Sequence, residues 1–427
     1  MNILVLGSGG REHAIVKSIV ESPRSERVFV APGNGGTGQI AENVALDQMD
    51  GEAVVAFCRE NDVELVVIGP EAPLVAGVGD VVRAAGIKVF GPGGQAAQLE
   101  GSKTFSKNLM RDAGIPTAAY GTFTSRGEAL AYLEEVGAPI VVKADGLAAG
   151  KGVVVAMEMD EARAAVEECF AGRFGEAGNT VVIEEFLQGP ECSMLAFADG
   201  NIVKVMAPAQ DHKRALEGDK GPNTGGMGVY SPVPIVTPEE HDAMVGMLNQ
   251  TIEALRGMGI DYRGVLYGGF MLTKNGPKVL EFNARFGDPE TQVLLPRLKT
   301  DLVDVMIACD SGALADIELE WDDQWAVSVV LASAGYPGSY EKGFEISGIA
   351  DAEALEGVTV YHAGTALRDG KIVTNGGRVL NVTALGDSFE AARNRSYEAC
   401  QLISWEGMTY RKDIGARALK GRSAWEV

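Results

Sequence analysis

Short apolar runs alternate with amphipathic stretches over the first part of the chain. The apolar runs have the length of strands, and the segments between them repeat apolar residues at a helical period. Strands that alternate with helices predict a parallel sheet with crossover helices. We therefore predict an open parallel α/β domain over residues 1–103. Ligands of such sheets lie at the carboxyl ends of strands, where the polar loops GSGGREH (7–13) and GPEAPL (69–74) are found.

The loop after the first predicted strand is rich in glycine but lacks the spacing of a dinucleotide site. Glu12 stands where G-x-G-x-x-G requires its third glycine, and the strand ending VFVAP offers no acid for a ribose. We interpret the loop as a helix N-terminus that suits an anion. A plain tight turn is the alternative interpretation.

A second glycine-rich stretch, VVKADGLAAGKGVVVA (141–156), lies between two β-branched runs. It is not a P-loop, because three residues separate Gly146 from Gly150, and Lys151 is followed by Gly152 instead of a hydroxyl residue. The pattern predicts a strand–loop–strand hairpin. Its tip could fold over a nucleotide with N–H groups towards phosphate, and an ordinary surface hairpin is the alternative.

Two further hairpins are predicted downstream, with turns at Asp199-Gly200 and Asn275-Gly276. A long polar loop over 210–228 is predicted between them. The segment GDPETQ then predicts the start of a helix that runs to about Cys309.

These elements predict a multidomain protein of class α/β and α+β. A helix over about 94–113 leads from the N-terminal domain into a second domain over 104–322. That domain includes a small α+β lid at about 122–190. Mixed strands and helices predict a third, mixed α/β domain over 323–427.

The stretch KVLEFNARFGDPETQ (278–292) carries the strongest chemical signal. In a strand, Glu281 and Asn283 point to one side, while Leu280 and Phe282 point to the other. A carboxylate and an amide oxygen side by side suit Mg²⁺ or Mn²⁺, with water and phosphate completing the shell. Arg285 continues the polar face and can hold an anion. A solvated strand face is the alternative.

Composition narrows the possible partners. The chain is 46% hydrophobic and carries a net charge of −22, so we expect no nucleic-acid partner. No apolar run approaches the roughly 18–20 residues of a membrane span, and we expect no membrane partner. The five cysteines form no CxxC pair and the four histidines show no zinc spacing, so we expect reduced cysteines and a cytoplasmic location. The negative net charge does not exclude small anionic substrates, because these need only a few Lys and Arg residues at the binding site.

A series of motifs in chain order gives a specific resemblance. These are GSGGREHA, GPEAPL, FGP, QLEGSK, KADGLAAGKGV, VIEEFLQGPE, QDHKRA, GPNTGGMG, EFNARFGDPETQ, HAGT and NGGRVL. The chain resembles the ATP-grasp superfamily and, within it, the phosphoribosylamine–glycine ligase family. The resemblance spans residues 1 to about 417. It implies that ATP drives the joining of glycine to 5-phosphoribosylamine through glycyl phosphate, in purine biosynthesis.

The resemblance also implies roles for individual residues. Backbone groups at a hinge would hold adenine, lysines and the glycine hairpin would hold phosphates, and the acid–amide pair would hold the metal. The matched residues are Lys103, Lys143, Gly150, Lys151, Gly152, Glu184, Glu185, Phe186, Leu187 and Glu191 for ATP; Glu281 and Asn283 for Mg²⁺ or Mn²⁺; Arg285, Asp288, Asp211 and Lys213 for the reaction centre; and Gly10, Arg11, Glu12, Glu71, Asn223 and Thr224 for the substrates.

One departure from the superfamily pattern concerns the metal. The strand VLYGGFML carries no acidic residue, whereas many ATP-grasp enzymes have a metal-binding Glu there, so the predicted shell has few protein ligands. We expect a monofunctional enzyme that is a monomer or a weak homodimer. The alternatives are an ATP-grasp ligase for another amine, a nicotinamide oxidoreductase that uses the first domain, and a non-catalytic nucleotide-binding protein.

Overall fold

The N-terminal region is an open parallel sheet covered by helices, as predicted. The computed structural model describes residues 1–147 and 152–421. Five parallel strands have the order β3-β2-β1-β4-β5, and the central strand β1 is completely buried from Ile3 to Leu6. The elements are β1 Asn2–Gly7, α1 Gly10–Val20, β2 Arg27–Pro32, α2 Thr37–Ile40, β3 Glu42–Asn43, α3 Gly51–Glu60, β4 Val63–Ile68, α4 Glu71–Val75, α5 Val78–Ala84, β5 Lys88–Phe90, α6 Gly94–Gly101 and α7 Lys103–Ala113.

The single helix predicted over 94–113 is wrong, because the chain forms two helices there. Ser102 lies between α6 and α7 in an extended conformation, and its hydroxyl accepts a hydrogen bond from the Phe105 N–H. A serine at this position ends one helix and caps the next.

A small four-stranded antiparallel sheet with its own apolar core follows. The strand order is β6-β9-β7-β8, and pairing of Lys143 with Val153 confirms the predicted hairpin. The tip of the hairpin, including the predicted Gly150 and Lys151, lies outside the described residues. The elements are β6 Tyr120–Phe123, α8 Arg126–Val136, β7 Ile140–Ala144, β8 Val153–Ala156, α9 Met159–Phe170 and β9 Val181–Glu185.

The next region contains a second antiparallel sheet, of order β11-β10-β16-β17, packed against a long helix. The turns predicted at Asp199-Gly200 and Asn275-Gly276 join β10 to β11 and β16 to β17. The elements are β10 Glu191–Asp199, β11 Val203–Val205, β12 Gln210–Asp211, β13 Arg214–Leu216, β14 Lys220–Asn223, β15 Gly228–Ser231, α10 Pro238–Gly257, β16 Arg263–Thr273, β17 Gly276–Asn283, α11 Thr291–Leu294 and α12 Leu302–Ser311.

Two predictions for this region are wrong. The polar stretch 210–228 is not a plain loop, since β13 and β14 pair within it and β12 and β15 join a larger sheet. The helix predicted to reach Cys309 is interrupted. A short 3-10 turn over Leu295–Arg297 follows α11, because Pro296 lacks an N–H and disfavours continued helix. Asp301 then caps α12.

The last part of the chain completes a sheet of order β12-β15-β18-β22-β19, with β23 paired to β18. The central strands β18 and β22 are almost wholly buried. No helix in the described ranges is long and apolar enough to cross a membrane. The elements are β18 Trp325–Ser333, α13 Ile349–Glu353, β19 Val358–His362, β20 Thr365–Arg368, β21 Lys371–Thr374, β22 Arg378–Gly386, α14 Phe389–Leu402 and β23 Met408–Thr409.

Candidate active site

A β-bulge shapes the strand that carries the predicted metal residues. Gly269 pairs with Glu281 whereas Phe270 pairs with Val279, so Leu280 is the extra residue. The prediction that Leu280 and Phe282 share a face is therefore wrong. It packs instead on a small apolar cluster with Ala118, Leu187 and Met271, whereas Phe282 is buried in the main core.

Glu281 and Asn283 are half-buried and flank the buried Phe282. Among the described residues, neither side chain has a hydrogen-bond or ion-pair partner, so their oxygens are available to a hard cation. No group of three or more His, Cys, Asp or Glu residues in the described ranges could hold a metal ion. The pair therefore fits Mg²⁺ only if water and phosphate supply most of its ligands.

The electrostatic field around Glu281 is strongly positive. Burial raises the pKa of Glu281, but the charges of Lys213, Lys143 and Lys103 outweigh burial and hold that pKa below its usual value. Lys213 forms an ion pair of 3.0 Å with Glu191, and the Lys103 Nζ donates to the Gly146 carbonyl at 2.9 Å. Such a cluster of lysines suits a chain of phosphates.

Lys143 forms a buried ion pair with Glu184, at 3.0 Å. The same carboxylate is 3.0 Å from the Nζ of Lys107, a residue for which the sequence analysis predicts no role. A signal for Lys107 does exist in the sequence. Lys103 and Lys107 are four residues apart in α7, so their side chains lie on one face of the helix.

Arg285 joins three separate segments through carboxylates. Its Nη2 donates to the Glu100 Oε1 at 2.7 Å, and its Nε lies 3.6 Å from the Glu71 Oε2. Burial raises the pKa of Glu100, although Arg285 opposes that rise. Burial also raises the pKa of Glu71, but Arg285 and Arg11 outweigh it and lower the pKa overall. Glu100 belongs to the QLEGSK motif, but the sequence predicts no role for it.

The N-terminus of α1 binds carboxylate groups of the protein's own side chains. The Arg11 N–H donates to the Asp288 Oδ2 at 3.2 Å, and the Gly9 N–H donates to the Glu12 Oε2 at 2.6 Å. The helix start therefore orients Asp288, a predicted reaction-centre residue, by its dipole and free N–H groups. Burial raises the pKa of Asp288, but Arg378 and Arg11 lower it more.

The loop GPNTGG is fixed by residues of the C-terminal region. Arg378 Nη1 donates to the carbonyl oxygens of Gly225, at 2.7 Å, and of Asp288, at 2.8 Å. The Tyr336 hydroxyl accepts from the Gly225 N–H at 3.2 Å, and the Thr224 hydroxyl donates to the Lys213 carbonyl at 2.8 Å. Arg378 is not a predicted site residue, although it lies in the quoted motif NGGRVL.

Asp211 and Lys213 lie on either side of the buried His212, at the end of β12. Burial raises the pKa of Asp211 to about 7, against the opposing charge of Lys213. The nearby buried Glu290 accepts hydrogen bonds from the hydroxyls of Tyr267, at 3.0 Å, and Ser193, at 3.2 Å. The site thus combines several carboxylates with several cations and is closed to bulk water on the Glu290 side.

Gly10 has no room for a side chain, and we expect Gly10→Ala to destabilise the protein. An added Cβ would lie 2.6 Å from the Asn381 Oδ1 and 2.7 Å from the Gln292 Nε2, and both of these side chains are buried, which restricts their movement. Overpacking of this kind costs about 1–3 kcal/mol, measurable as a loss in the free energy of unfolding by urea denaturation. The matched control is Gly246→Ala in α10, where an added Cβ meets no atom within 4 Å. Equal stability of the two variants would contradict the steric argument.

Comparisons with known proteins agree along nearly the whole chain. Three family models match: "Phosphoribosylglycinamide synthetase, N domain" over residues 1–100, its "ATP-grasp (A) domain" over 101–291 and its "C domain" over 326–417. The phosphoribosylamine--glycine ligase of Pseudomonas aeruginosa is 54% identical over 424 residues, which are 98% of each chain. The ligase of the same name from Pasteurella multocida is 53% identical over 424 residues, again 98% of each chain.

Solved structures give the same result. The crystal structure of phosphoribosylamine--glycine ligase from Thermotoga maritima matches with a TM-score of 0.84 and 36% identity, over 97% of this chain and 100% of that one. A biotin carboxylase domain from Hydrogenobacter thermophilus, in complex with MgADP, ADP and bicarbonate, matches with a TM-score of 0.74. The two chains are 17% identical, over 96% of this chain and 91% of that one. This second match shows a shared fold.

Proposed function

Because the chain belongs to the phosphoribosylglycinamide synthetase family, with its three domains in order, we propose how its residues perform the family reaction. The protein is an ATP-dependent ligase of purine biosynthesis that joins glycine to 5-phosphoribosylamine. The products are glycinamide ribonucleotide, ADP and phosphate. The observation that carries the proposal is the set of lysines around Glu281, which, like Asn283, has no hydrogen-bond or ion-pair partner within the described ranges.

The chemistry requires activation of a carboxylate. Attack by an amine on a free carboxylate would have to expel oxide, which is a very poor leaving group. Transfer of the γ-phosphoryl group of ATP to a glycine carboxylate oxygen releases ADP and forms glycyl phosphate. The amine of phosphoribosylamine then forms the new C–N bond as phosphate leaves. The protein contributes by positioning the reactants and by neutralising charge.

We propose that ATP lies between the small sheet β6-β9-β7-β8 and the strand β17. Lys103 and Lys143 would contact the phosphates, together with the hairpin that contains Gly150, Lys151 and Gly152. The apolar cluster of Leu187, Met271, Leu280 and Ala118 offers a surface for the adenine ring. The segment Glu184, Glu185, Phe186 and Leu187 would contact the adenine edge through its backbone, and Glu191 would bind the ribose hydroxyls.

The family's ATP-grasp domain indicates ATP as the phosphoryl donor, and we propose that Mg²⁺ or Mn²⁺ accompanies it. Glu281 and Asn283 are proposed to hold the ion, with water and the ATP phosphates as further ligands. When bound, the ion neutralises negative charge on the transferring phosphoryl group. In the part of the chain that the structure describes, no group of three or more His, Cys, Asp or Glu residues could hold a metal, which supports a shell made mostly of water and phosphate.

For the reaction centre we propose Arg285, Asp288, Asp211 and Lys213. The cations would stabilise charge on the acyl phosphate, and the carboxylates would orient the amines. The proposed substrate contacts are made by two segments of the N-terminal domain and by the GPNTGG loop. They comprise Gly10, Arg11, Glu12, Glu71, Asn223 and Thr224.

The function is tested by measuring ADP release against a matrix of amino acids and amines. We expect turnover to require ATP, glycine and phosphoribosylamine together. Replacing glycine by alanine, or phosphoribosylamine by ammonia, is expected to leave only background ADP release. Equal turnover with another amine would favour the alternative ligase, and ATP binding without substrate-dependent release would favour a binding protein. A saturable change in NADH fluorescence on titration with the protein would favour the oxidoreductase.

We further propose a cytoplasmic monomer or weak homodimer, with domains over 1–103, 104–322 and 323–427. The small molecules named above are its proposed partners. All five cysteines lie in the described residues, free and buried, which supports a reducing compartment. Size-exclusion chromatography with light scattering would test the assembly.

A further inference from the structure

Glu184 is a buried carboxylate held by two lysines. The side chains of Glu184 and Lys107 are each 3% exposed, and that of Lys143 is 8% exposed. Each lysine Nζ lies 3.0 Å from a carboxylate oxygen of Glu184. One negative charge is thus matched by two positive charges out of contact with water. The group has one unit of positive charge in excess, which an anionic ligand can balance.

The two lysines differ in their other contacts. The Lys107 Nζ donates to the Thr117 hydroxyl at 2.7 Å, and that hydroxyl donates to the Val279 carbonyl at 2.6 Å. Lys107 is therefore tied to the body of the protein through β17. Apart from Glu184, the acceptor of the Lys143 Nζ among the described residues is the Leu280 carbonyl, at 3.4 Å. This contact is longer than that of Lys107 to Thr117, whereas both lysines interact electrostatically with Glu281.

Lys107 belongs to a different part of the fold from Lys143 and Glu184, which suggests a different role. Lys107 lies in α7, which packs on α10 and β17, whereas Lys143 and Glu184 lie on β7 and β9 of the small sheet. Lys143 is the member of the trio that the proposed ATP site requires at the phosphates. Contact with the phosphates would draw its ammonium group away from Glu184, and a buried carboxylate left without a partner would oppose that movement.

On the basis of the ATP site proposed above, we propose that Lys107 is a positioning residue that neutralises Glu184 and so frees Lys143 for the ATP phosphates. Thr117 fixes Lys107 in place, and Lys107 keeps its ion pair while Lys143 moves. Burial lowers the pKa of Lys107 to about 8, against the opposing effect of Glu184. Lys107 therefore remains mostly protonated at neutral pH, as this role requires.

The test compares ligands with and without phosphate on Lys107→Met, which keeps the apolar stem. Binding is measured by isothermal titration calorimetry in Mg²⁺. We expect the Kd for ADP to rise about tenfold, because Lys143 stays on Glu184, and the Kd for adenosine to change by less than about twofold. Lys107→Gln removes the charge but keeps an N–H donor on a shorter side chain, and it provides a second variant if the methionine protein folds poorly.

A double variant provides the decisive control. Glu184→Gln removes the charge that retains Lys143 but keeps the backbone that faces adenine. The variant Lys107→Met/Glu184→Gln is expected to bind ADP several-fold more tightly than Lys107→Met alone. Recovery of this kind would not follow from a merely structural role of Lys107.

The outcomes separate this inference from the proposed function. Wild-type protein that binds no ADP would refute the ATP site itself. Wild-type binding with normal ADP affinity in Lys107→Met and Lys107→Gln would refute the role of Lys107. Equal losses for ADP and adenosine, with a lower Tm and no recovery in the double variant, would show a structural residue and would also refute it.

Discussion

Glu281→Gln is expected to lower kcat by about 10³-fold, the scale of losing one preorganised charge at a reaction centre. Glutamine keeps the shape and one oxygen but removes the charge that would hold the divalent ion. The wild-type side chain has no hydrogen-bond or ion-pair partner among the described residues, so its replacement leaves no buried group unpaired. We therefore expect the free energy of unfolding to change by less than about 1 kcal/mol.

The measurement is ADP release as a function of Mg²⁺ concentration, together with urea denaturation. Glu60→Gln is the matched control, because Glu60 is exposed at the end of α3 and should leave both properties unchanged. Calorimetric titration with MgADP and with metal-free ADP gives a second readout. The variant should bind MgADP more weakly than the wild type does, whereas its affinity for metal-free ADP should be unchanged. Wild-type turnover with ordinary Mg²⁺ dependence in Glu281→Gln would contradict the metal assignment.

Local patterns were sufficient to predict the sheet regions. The N-terminal strands follow from buried apolar runs such as Ile3–Leu6, and the two Asx-Gly turns mark hairpins that the structure contains. Helix periodicity was less informative about interruptions. Periodicity alone predicts helices that continue through Ser102 and Pro296. At Ser102 the side-chain hydroxyl caps a new helix, and at Pro296 the missing N–H interrupts the helix.

Contacts between distant segments could not be predicted from local patterns. The bulge at Leu280 depends on pairing with β16, and strict alternation placed this side chain on the wrong face. Glu100, Lys107 and Arg378 have local surroundings typical of a solvated helix or strand face. Their roles become visible only when Arg285, Glu184 and Asp288 approach from elsewhere in the chain.

All three family regions contribute charged groups to one network. Arg11 and Glu71 come from the first, Arg285 and Asp288 from the second, and Arg378 from the third. Asp288 connects them directly, since it accepts from the Arg11 N–H and lies 3.4 Å from the Arg378 Nη1. A change in one region is therefore expected to alter geometry at the reaction centre, and stability and activity must be separated by experiment.

Arg285→Met is expected to lower both stability and activity. Removing one partner of a buried ion pair costs about 3–5 kcal/mol, because the remaining charge is left uncompensated. Here the remaining charge is Glu100, whose side chain is 7% exposed. Activity should fall as well, since Arg285 is proposed to stabilise charge on the acyl phosphate.

The loss of stability should depend on pH in a defined direction. Burial already raises the pKa of Glu100, and Arg285 opposes the rise, so the variant should raise that pKa further. The folded variant then holds a proton that the unfolded chain has released, and its stability falls as pH rises above the ordinary pKa of a glutamate. Urea denaturation should therefore show a larger deficit relative to wild type at pH 8 than at pH 5.

The variant Arg285→Met/Glu100→Gln separates the two effects. Without the buried carboxylate, most of the lost stability should return and the added pH dependence should disappear. The Ala284 N–H, which donates to the Glu100 Oε2 at 2.7 Å in the wild type, can still donate to the glutamine oxygen. Turnover should remain low, because the cation is still missing from the reaction centre. If turnover returned together with stability, Arg285 would be a structural residue and its proposed role at the acyl phosphate would be wrong.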